Sequence, residues 1–104
     1  MSKKRKIGAP AHRAMMVSKQ AERALHAFFY EEDAFPYLSL DSVQPEPGSS
    51  NLILNFRLAR DPAPLLSVGE ILRELRLLEG SMRAVVAREV HRKRVPGLRF
   101  RVLP

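Results

Sequence analysis

The sequence contains no cysteine, no tryptophan and no long apolar run. Without cysteine, disulfide bonds, thiolate zinc sites and thiol catalysis are all excluded. No stretch approaches the roughly 18 consecutive apolar residues that indicate a transmembrane helix. The basic start of the chain also lacks the apolar segment of a signal peptide. These absences favour a protein of a reducing compartment, and we expect it to be cytoplasmic.

The 104 residues fit one domain, and their net charge of +7 is concentrated at the two ends of the chain. Residues 1–30 carry seven basic groups against one acid, and residues 83–104 carry the same seven against one. Residues 31–46 carry five acids and no base. Two concentrated basic blocks can form one anion-binding face if the fold brings them together.

Apolar spacing predicts the element order helix, strand, strand, helix, helix, strand. Residues 1–11 show no apolar period, so we expect a flexible basic arm before a domain over residues 12–104. The first predicted elements are a helix over 12–30 and strands over 37–44 and 51–58. A second helix begins with a capping box at Ser67. After a kink near Gly80, a third helix covers about 81–93, and a strand follows over 98–102. This order indicates an α+β domain with a three-stranded sheet and helices packed on one face.

The last third of the chain carries a distinctive pattern. A leucine-rich helix meets EGS at 79–81, a basic helix follows, and RVPGLRF at 94–100 leads into the last strand. Over about residues 11–103 the chain resembles the bacterial ribosome-binding factor A family, which has a type II KH-like fold with a kink in place of the Gly-x-x-Gly loop. The resemblance implies a non-enzymatic protein that binds 16S rRNA on the 30S small ribosomal subunit and assists its late maturation.

Arginines placed opposite Met82, Val86 and Val90 predict a basic solvent face on the helix over 81–93. A face that only keeps the protein soluble is the alternative interpretation. The scarcity of acidic residues nearby favours a phosphate partner, because unpaired charge at this density repels itself. The predicted RNA-binding residues of this region are Arg83, Arg88, Arg92, Lys93, Arg94, Arg99 and Arg101.

Two further segments each allow two interpretations. Gly80 and Ser81 either form a packing kink, or the N–H groups of Ser81 and Met82 open a helix and bind a phosphate beside Arg83. The N-terminal arm either only solubilises the chain or binds rRNA and folds on it. The RNA-binding residues predicted for the arm are Lys3, Lys4, Arg5 and Lys6.

Four phenylalanines occupy apolar-periodic or strand positions, which predicts that they belong to the core. We therefore expect recognition of rRNA shape and backbone, without a platform on which bases stack. The four are Phe28, Phe29, Phe56 and Phe100.

Catalysis and metal binding find little support in the sequence. His12, His26 and His91 lie far apart and lack carboxylate or cysteine companions at ligand spacing. We expect no catalytic residue, no metal site, no cofactor and no small-molecule substrate, and a monomer that contacts no membrane. Two alternatives stay open beside the ribosomal function. One is a general KH-like RNA-binding module outside the ribosome, and the other is a protein–protein adaptor whose contact is formed by the acidic loop at 31–33 and the face of the hairpin.

Overall fold

The computed structural model describes residues 2–31, 38–58, 66–90 and 94–103, and within the first helix the side chains of residues 13–30. These ranges contain α1 (Ser2–Glu31), β1 (Leu38–Pro45), β2 (Leu52–Leu58), α2 (Val68–Leu77), α3 (Glu79–Val90) and β3 (Leu98–Leu103). The predicted α+β order is confirmed. Among the described residues, no helix has a stretch long and apolar enough to cross a membrane.

The three strands form one mixed sheet in the order β1-β2-β3. β1 and β2 are an antiparallel hairpin, whereas β2 and β3 run parallel. Leu54 of β2 pairs with Val43 on one side and with Phe100 on the other. A parallel pair requires a long crossover connection, which α2 and α3 supply. β2 is therefore the strand against which both of its neighbours are aligned.

β1 contains a β-bulge at Asp41. The register pairs Leu40 and Ser42 with consecutive residues of β2, so Asp41 is the extra residue. The bulge shifts the alternation of side chains by one position, and Leu40 and Val43 are therefore both buried in the core. Strict alternation would have placed Val43 on the opposite face from Leu40.

α1 is longer than the sequence predicts. We expected residues 1–11 to be a flexible arm, but the helix begins at Ser2 and continues past Pro10. Lysine, arginine and alanine are strong helix formers, and extending an existing helix costs far less than nucleating one. The absence of an apolar period in residues 1–11 indicates that no face of this segment is buried. It does not prevent the segment from forming a helix. A separate role for residues 1–11 stays a prediction.

The core lies between the helices and one face of the sheet. The rings of Phe29 and Phe56 meet edge to face with centroids 5.3 Å apart, and Phe100 lies 6.4 Å from Phe56. Phe28 also packs against the core, so the predicted placement of the four phenylalanines is confirmed. The buried core residues are Ala21, Leu25, Leu40, Val43, Leu52, Leu54, Phe56, Ile71, Leu75, Met82, Val86, Val90 and Leu98.

α2 begins with the predicted capping box. Ser67 Oγ accepts the Glu70 N–H at 3.1 Å, and Glu70 Oε1 accepts the Ser67 N–H at 3.2 Å. The break before α3 occupies one residue, Leu78, whose φ is −95° and ψ is 1°. Gly80 already lies in the first turn of α3, with open space around it. The predicted kink is confirmed, but it lies at Leu78 and not at the glycine.

Gly97 lies against the hairpin turn. A Cβ atom on Gly97 would stand 2.5 Å from Oδ1 of Asn51, far inside van der Waals contact. The carbonyl oxygen of Gly97 accepts the N–H of Leu52 at 2.9 Å, which fixes this approach at the start of β2. Gly48 serves the same turn in another way, because its φ of +76° lies in the left-handed region that glycine adopts without strain.

The replacement Gly97→Ala should lower the free energy of unfolding by about 1–3 kcal/mol, because the new methyl group must displace the Asn51 side chain. Gly80→Ala is the matched control. It should be neutral or stabilise by up to about 1 kcal/mol, since alanine favours the helix and meets no neighbour there. Urea unfolding followed by circular dichroism measures both, and equal effects would contradict the close packing at Gly97.

Candidate nucleic-acid interface

α3 presents two of the predicted RNA-binding arginines to solvent. Arg88 is exposed, as predicted, and it forms no ion pair with any described residue. Arg83 is also exposed, but its Nη2 donates to the carbonyl oxygen of Val95 at 3.3 Å. Arg83 therefore links α3 to the segment before β3, and part of its donor capacity is used within the chain.

Several predicted residues fall outside the described part of the chain. Arg92 and Lys93 are not described, and neither are the side chains at 3–6, although their backbone is helical. Arg94 is described and exposed. The RNA contacts of all these residues stay predictions.

The phosphate site predicted at the start of α3 is wrong in one part. The N–H of Met82 donates to the carbonyl oxygen of Leu78 at 2.9 Å, so it is not available to an anion. Ser81 is exposed one residue earlier in the same turn. Its contact with RNA stays a prediction.

β3 has the predicted alternation of apolar and basic residues. Its apolar residues face the core, whereas Arg99 and Arg101 are exposed on the opposite, outer face of the sheet. Arg83 and Arg88 lie elsewhere, on the solvent side of α3, whose other side joins the core. Two of these residues are thus carried by a helix and two by the sheet. Their joint contact with RNA stays a prediction. Elements that follow one another in the chain occupy different layers of the fold.

Acidic residues neutralise most of the charge on the outer face of the sheet. Arg57 Nε lies 3.3 Å from Oδ1 of Asp41, and Arg99 Nη1 lies 3.3 Å from Oε2 of Glu46. Arg101 has no such partner among the described residues. The outer face therefore carries only a small excess of positive charge.

Glu46 organises the hairpin turn. Its Oε1 accepts hydrogen bonds from Ser49 Oγ at 2.7 Å and from Asn51 Nδ2 at 3.1 Å. The Ser49 hydrogen bond above all, helped by Asn51 and by the charge of Arg99, lowers the pKa of Glu46 below its ordinary value of 4.5, against the opposing effect of burial. One carboxylate thus joins the turn between β1 and β2 to β3.

A groove of about 320 Å³ lies where α1, the hairpin turn and the segment before β3 meet. Arg13 and Pro96 both line it, and the exposed Arg94 stands two residues before Pro96. Lys6, the last residue of the basic run at 3–6, precedes Arg13 on the same helix by about 10 Å along the axis, at a rise of 1.5 Å per residue. Segments from the two basic blocks therefore meet at this groove, and Arg13 is the basic side chain among its described lining residues. The other lining residues are Ala14, Val17, Pro45, Ser49, Ser50, Asn51 and Leu52.

Arg13 is a candidate that the sequence pattern does not single out. It is exposed, and it forms no ion pair with a described residue. Its position near the start of the first helix fits the family resemblance, but no charge pattern in the sequence marks it as an RNA-binding residue. Its importance follows from the packing of α1 beside the hairpin turn, which spacing along the chain does not reveal.

A smaller depression of about 190 Å³ lies between the end of α2 and β3. Arg76 and Arg99 line it together with the half-buried Phe100. The sequence gives no signal for Arg76, because the acidic and basic residues of 47–82 are equal in number. No cluster of three or more histidine, aspartate or glutamate side chains suited to a metal ion occurs in the described ranges. The chemistry that the described surface offers is the binding of anions.

Solved structures share this architecture. The crystal structure of ribosome-binding factor A from Thermus thermophilus matches with a TM-score of 0.66 and 25% identity, over 88% of this chain and 94% of that chain. The chain has a ribosome-binding factor A-like fold. The architecture predicted as type II KH-like is confirmed by this match.

A second ribosome-binding factor A structure gives the same fold. It is a homology model of the Thermus thermophilus protein, fitted into a cryo-EM map of a 30S–ribosome-binding factor A complex. It matches with a TM-score of 0.57 and 24% identity, over 90% of this chain and 92% of that chain. No protein-family model and no curated protein matches this sequence.

The replacement Glu46→Gln should destabilise the protein at neutral pH, because it removes the charge that Arg99 and the turn donors favour. A lowered pKa in the folded state means that this stabilisation is complete above the ordinary glutamate pKa of 4.5 and is lost as the pH falls through the folded value. The difference in stability between wild type and variant should therefore vanish in acid. Thermal unfolding from pH 7 to pH 3 measures it.

Glu74→Gln is the control for this experiment. Glu74 is exposed on α2 and forms no hydrogen bond or ion pair with a described residue, so its replacement should change little at any pH. A difference between wild type and Glu46→Gln that does not depend on pH would contradict the role given to the carboxylate charge.

Proposed function

We propose that the chain binds the 30S small ribosomal subunit through 16S rRNA and assists the late maturation of that subunit. The fold similarity to ribosome-binding factor A, over 88% of this chain, carries the proposal. The structure fitted into a 30S complex supports the choice of partner. Net charge alone would not distinguish rRNA from other polyanions, because the charge contribution to binding carries no sequence information.

The exposed cations supply the attraction to rRNA. Arg13 lines the groove, the exposed Arg94 comes two residues before its lining residue Pro96, and Arg88 projects from α3. None of the three has an acidic partner among the described residues, so each can neutralise a phosphate without breaking an internal ion pair. Phosphate contacts of this kind set the position and orientation of a protein on RNA.

The proposed action is binding, without a catalytic step or a cofactor. A protein that binds one rRNA conformation more tightly than another shifts the population toward it by its difference in affinity. We propose that this monomer stabilises such a conformation of the maturing subunit in the cytoplasm and then dissociates. Repulsion between neighbouring phosphates opposes compaction of rRNA, and bound cations reduce that repulsion.

Sedimentation through a sucrose gradient tests the proposal. The wild-type protein should move with free 30S subunits and not with translating ribosomes, and high salt should release it. Neutralising Arg88, Arg92 and Arg94 together with glutamine should weaken 30S binding roughly tenfold or more and flatten the plot of log Kd against log salt by about 2 to 3 units. The physical reason is the loss of three phosphate contacts.

The matched control replaces Lys19, Arg23 and Arg73 with glutamine. These residues are exposed and basic, and none of them lines the groove. The control keeps the same net charge as the test variant, so it separates local contact from overall attraction. Unchanged 30S binding by the test variant, with its circular dichroism intact, would contradict the proposed contact.

A further inference from the structure

We propose that the groove between α1, the hairpin turn and Pro96 binds one unpaired nucleotide of RNA. This inference rests on the proposed function and names the class of ligand that one part of the surface takes. The groove lies where the two basic blocks meet, and none of the described residues that line it belongs to α3 or β3.

The size of the groove fits a single nucleotide. Its volume of about 320 Å³ lies at the lower end of the range for small-molecule sites. A duplex presents paired and stacked bases, so only an unpaired base can enter a depression of this width. Neighbouring nucleotides would continue toward the basic run of α1 on one side and toward Arg94 on the other.

The walls of the groove are mostly apolar. Val17 and Leu52 line it from the helix and from the sheet, and Pro45 and Pro96 stand at the strand end and in the connecting segment. The two proline rings are compact apolar surfaces, of which the half-buried Pro45 is the more accessible to a base or a ribose. Within the described ranges no aromatic side chain lines the groove, so we expect binding that tolerates any base and does not select one.

The polar groups of the groove divide into occupied and free ones. Ser49 and Asn51 donate to Glu46, so their side chains hold the turn in shape. Arg13 and Ser50 are exposed and form no hydrogen bond or ion pair with a described residue. A guanidinium suits a phosphate, and a hydroxyl group suits a ribose 2′-OH or a base edge. The free groups therefore match the two polar parts of a nucleotide.

The groove is held in shape before any ligand arrives. Glu46 fixes one side of the turn, and the contact between Gly97 and Asn51 fixes the other. The backbone N–H of Leu52 donates a hydrogen bond to the carbonyl oxygen of Gly97, which keeps Pro96 beside the turn. A preformed site loses little conformational freedom on binding, so a few contacts give measurable affinity.

Nuclear magnetic resonance of the full chain, titrated with a single-stranded uridine hexamer and with a 12-base-pair RNA duplex, tests the inference. The hexamer should shift the backbone amides of residues 13–17 and 49–52, and the duplex should leave them in place. Shifts confined to other residues, or equal shifts with the duplex, would overturn the inference. A glutamate-rich hexapeptide is a third probe, and equal shifts with it would overturn the inference in favour of a site for acidic protein segments.

Two variants measure the contribution of the groove to hexamer binding. Arg13→Gln should weaken hexamer binding by about three- to tenfold and reduce the salt slope by about 0.7, the value for one phosphate of a single strand. Ser50→Phe should weaken it by partly filling the groove, without loss of a charge. Arg23→Gln, which removes an exposed arginine of α1 outside the groove, is the matched control.

The outcomes separate this inference from the proposed function. If wild type moves with 30S subunits but Arg13→Gln and Ser50→Phe bind the hexamer as Arg23→Gln does, the groove is not a nucleotide site and the ribosomal function stands. If wild type fails to move with 30S subunits, the proposed function fails, whatever the hexamer does. Circular dichroism of each variant shows that the fold is intact.

Discussion

The central strand β2 is hydrogen-bonded along both edges, and its inward residues Leu54 and Phe56 are almost completely buried. Because its backbone pairs on both sides, its register sets where the hairpin turn lies and where β3 begins. Helices cover one face of the sheet, and the outward side chains of β3 are consequently the arginines. Pairing to β2 also brings Gly97 against the turn at the start of the strand. The position of the groove thus follows from the pairing of one strand.

Some of the exposed arginines are paired with acidic residues of the chain, whereas others have no such partner and can bind an anion. Glu46 and Asp41 pair with Arg99 and Arg57, so these two arginines of the outer sheet face are neutralised within the chain. Arg13, Arg88 and Arg94 have no acidic partner among the described residues. Exposed ion pairs contribute little to stability, whereas unpaired cations cost little in water and attract phosphate strongly. The positive charge of the chain therefore favours phosphate binding mainly at arginines that have no acidic residue of the chain beside them.

Sequence patterns correctly predicted the features that depend on residues close together along the chain. The capping box at Ser67 and the alternation in β3 depend on spacings of two to four residues, and both appear as predicted. The bulge at Asp41 escaped prediction because it depends on how β1 fits against β2. The length of α1 was also not predicted. Apolar periodicity indicates only which helical segments bury one face, and the first residues of α1 show no such periodicity. The break at Leu78 lies two residues from the glycine that suggested it.

By itself the sequence determined the order of helices and strands, much of the core and the two separate blocks of positive charge, since each depends on composition or on short-range periodicity. Only the tertiary structure decided that Arg13 meets the segment before β3 at one groove, and that Arg99 of the outer sheet face pairs with Glu46 of the hairpin turn. The physical reason is that proximity in space is set by strand pairing and by the packing of apolar faces. Solvent-exposed charges contribute little to either, so their own spacing along the chain does not report where they come together.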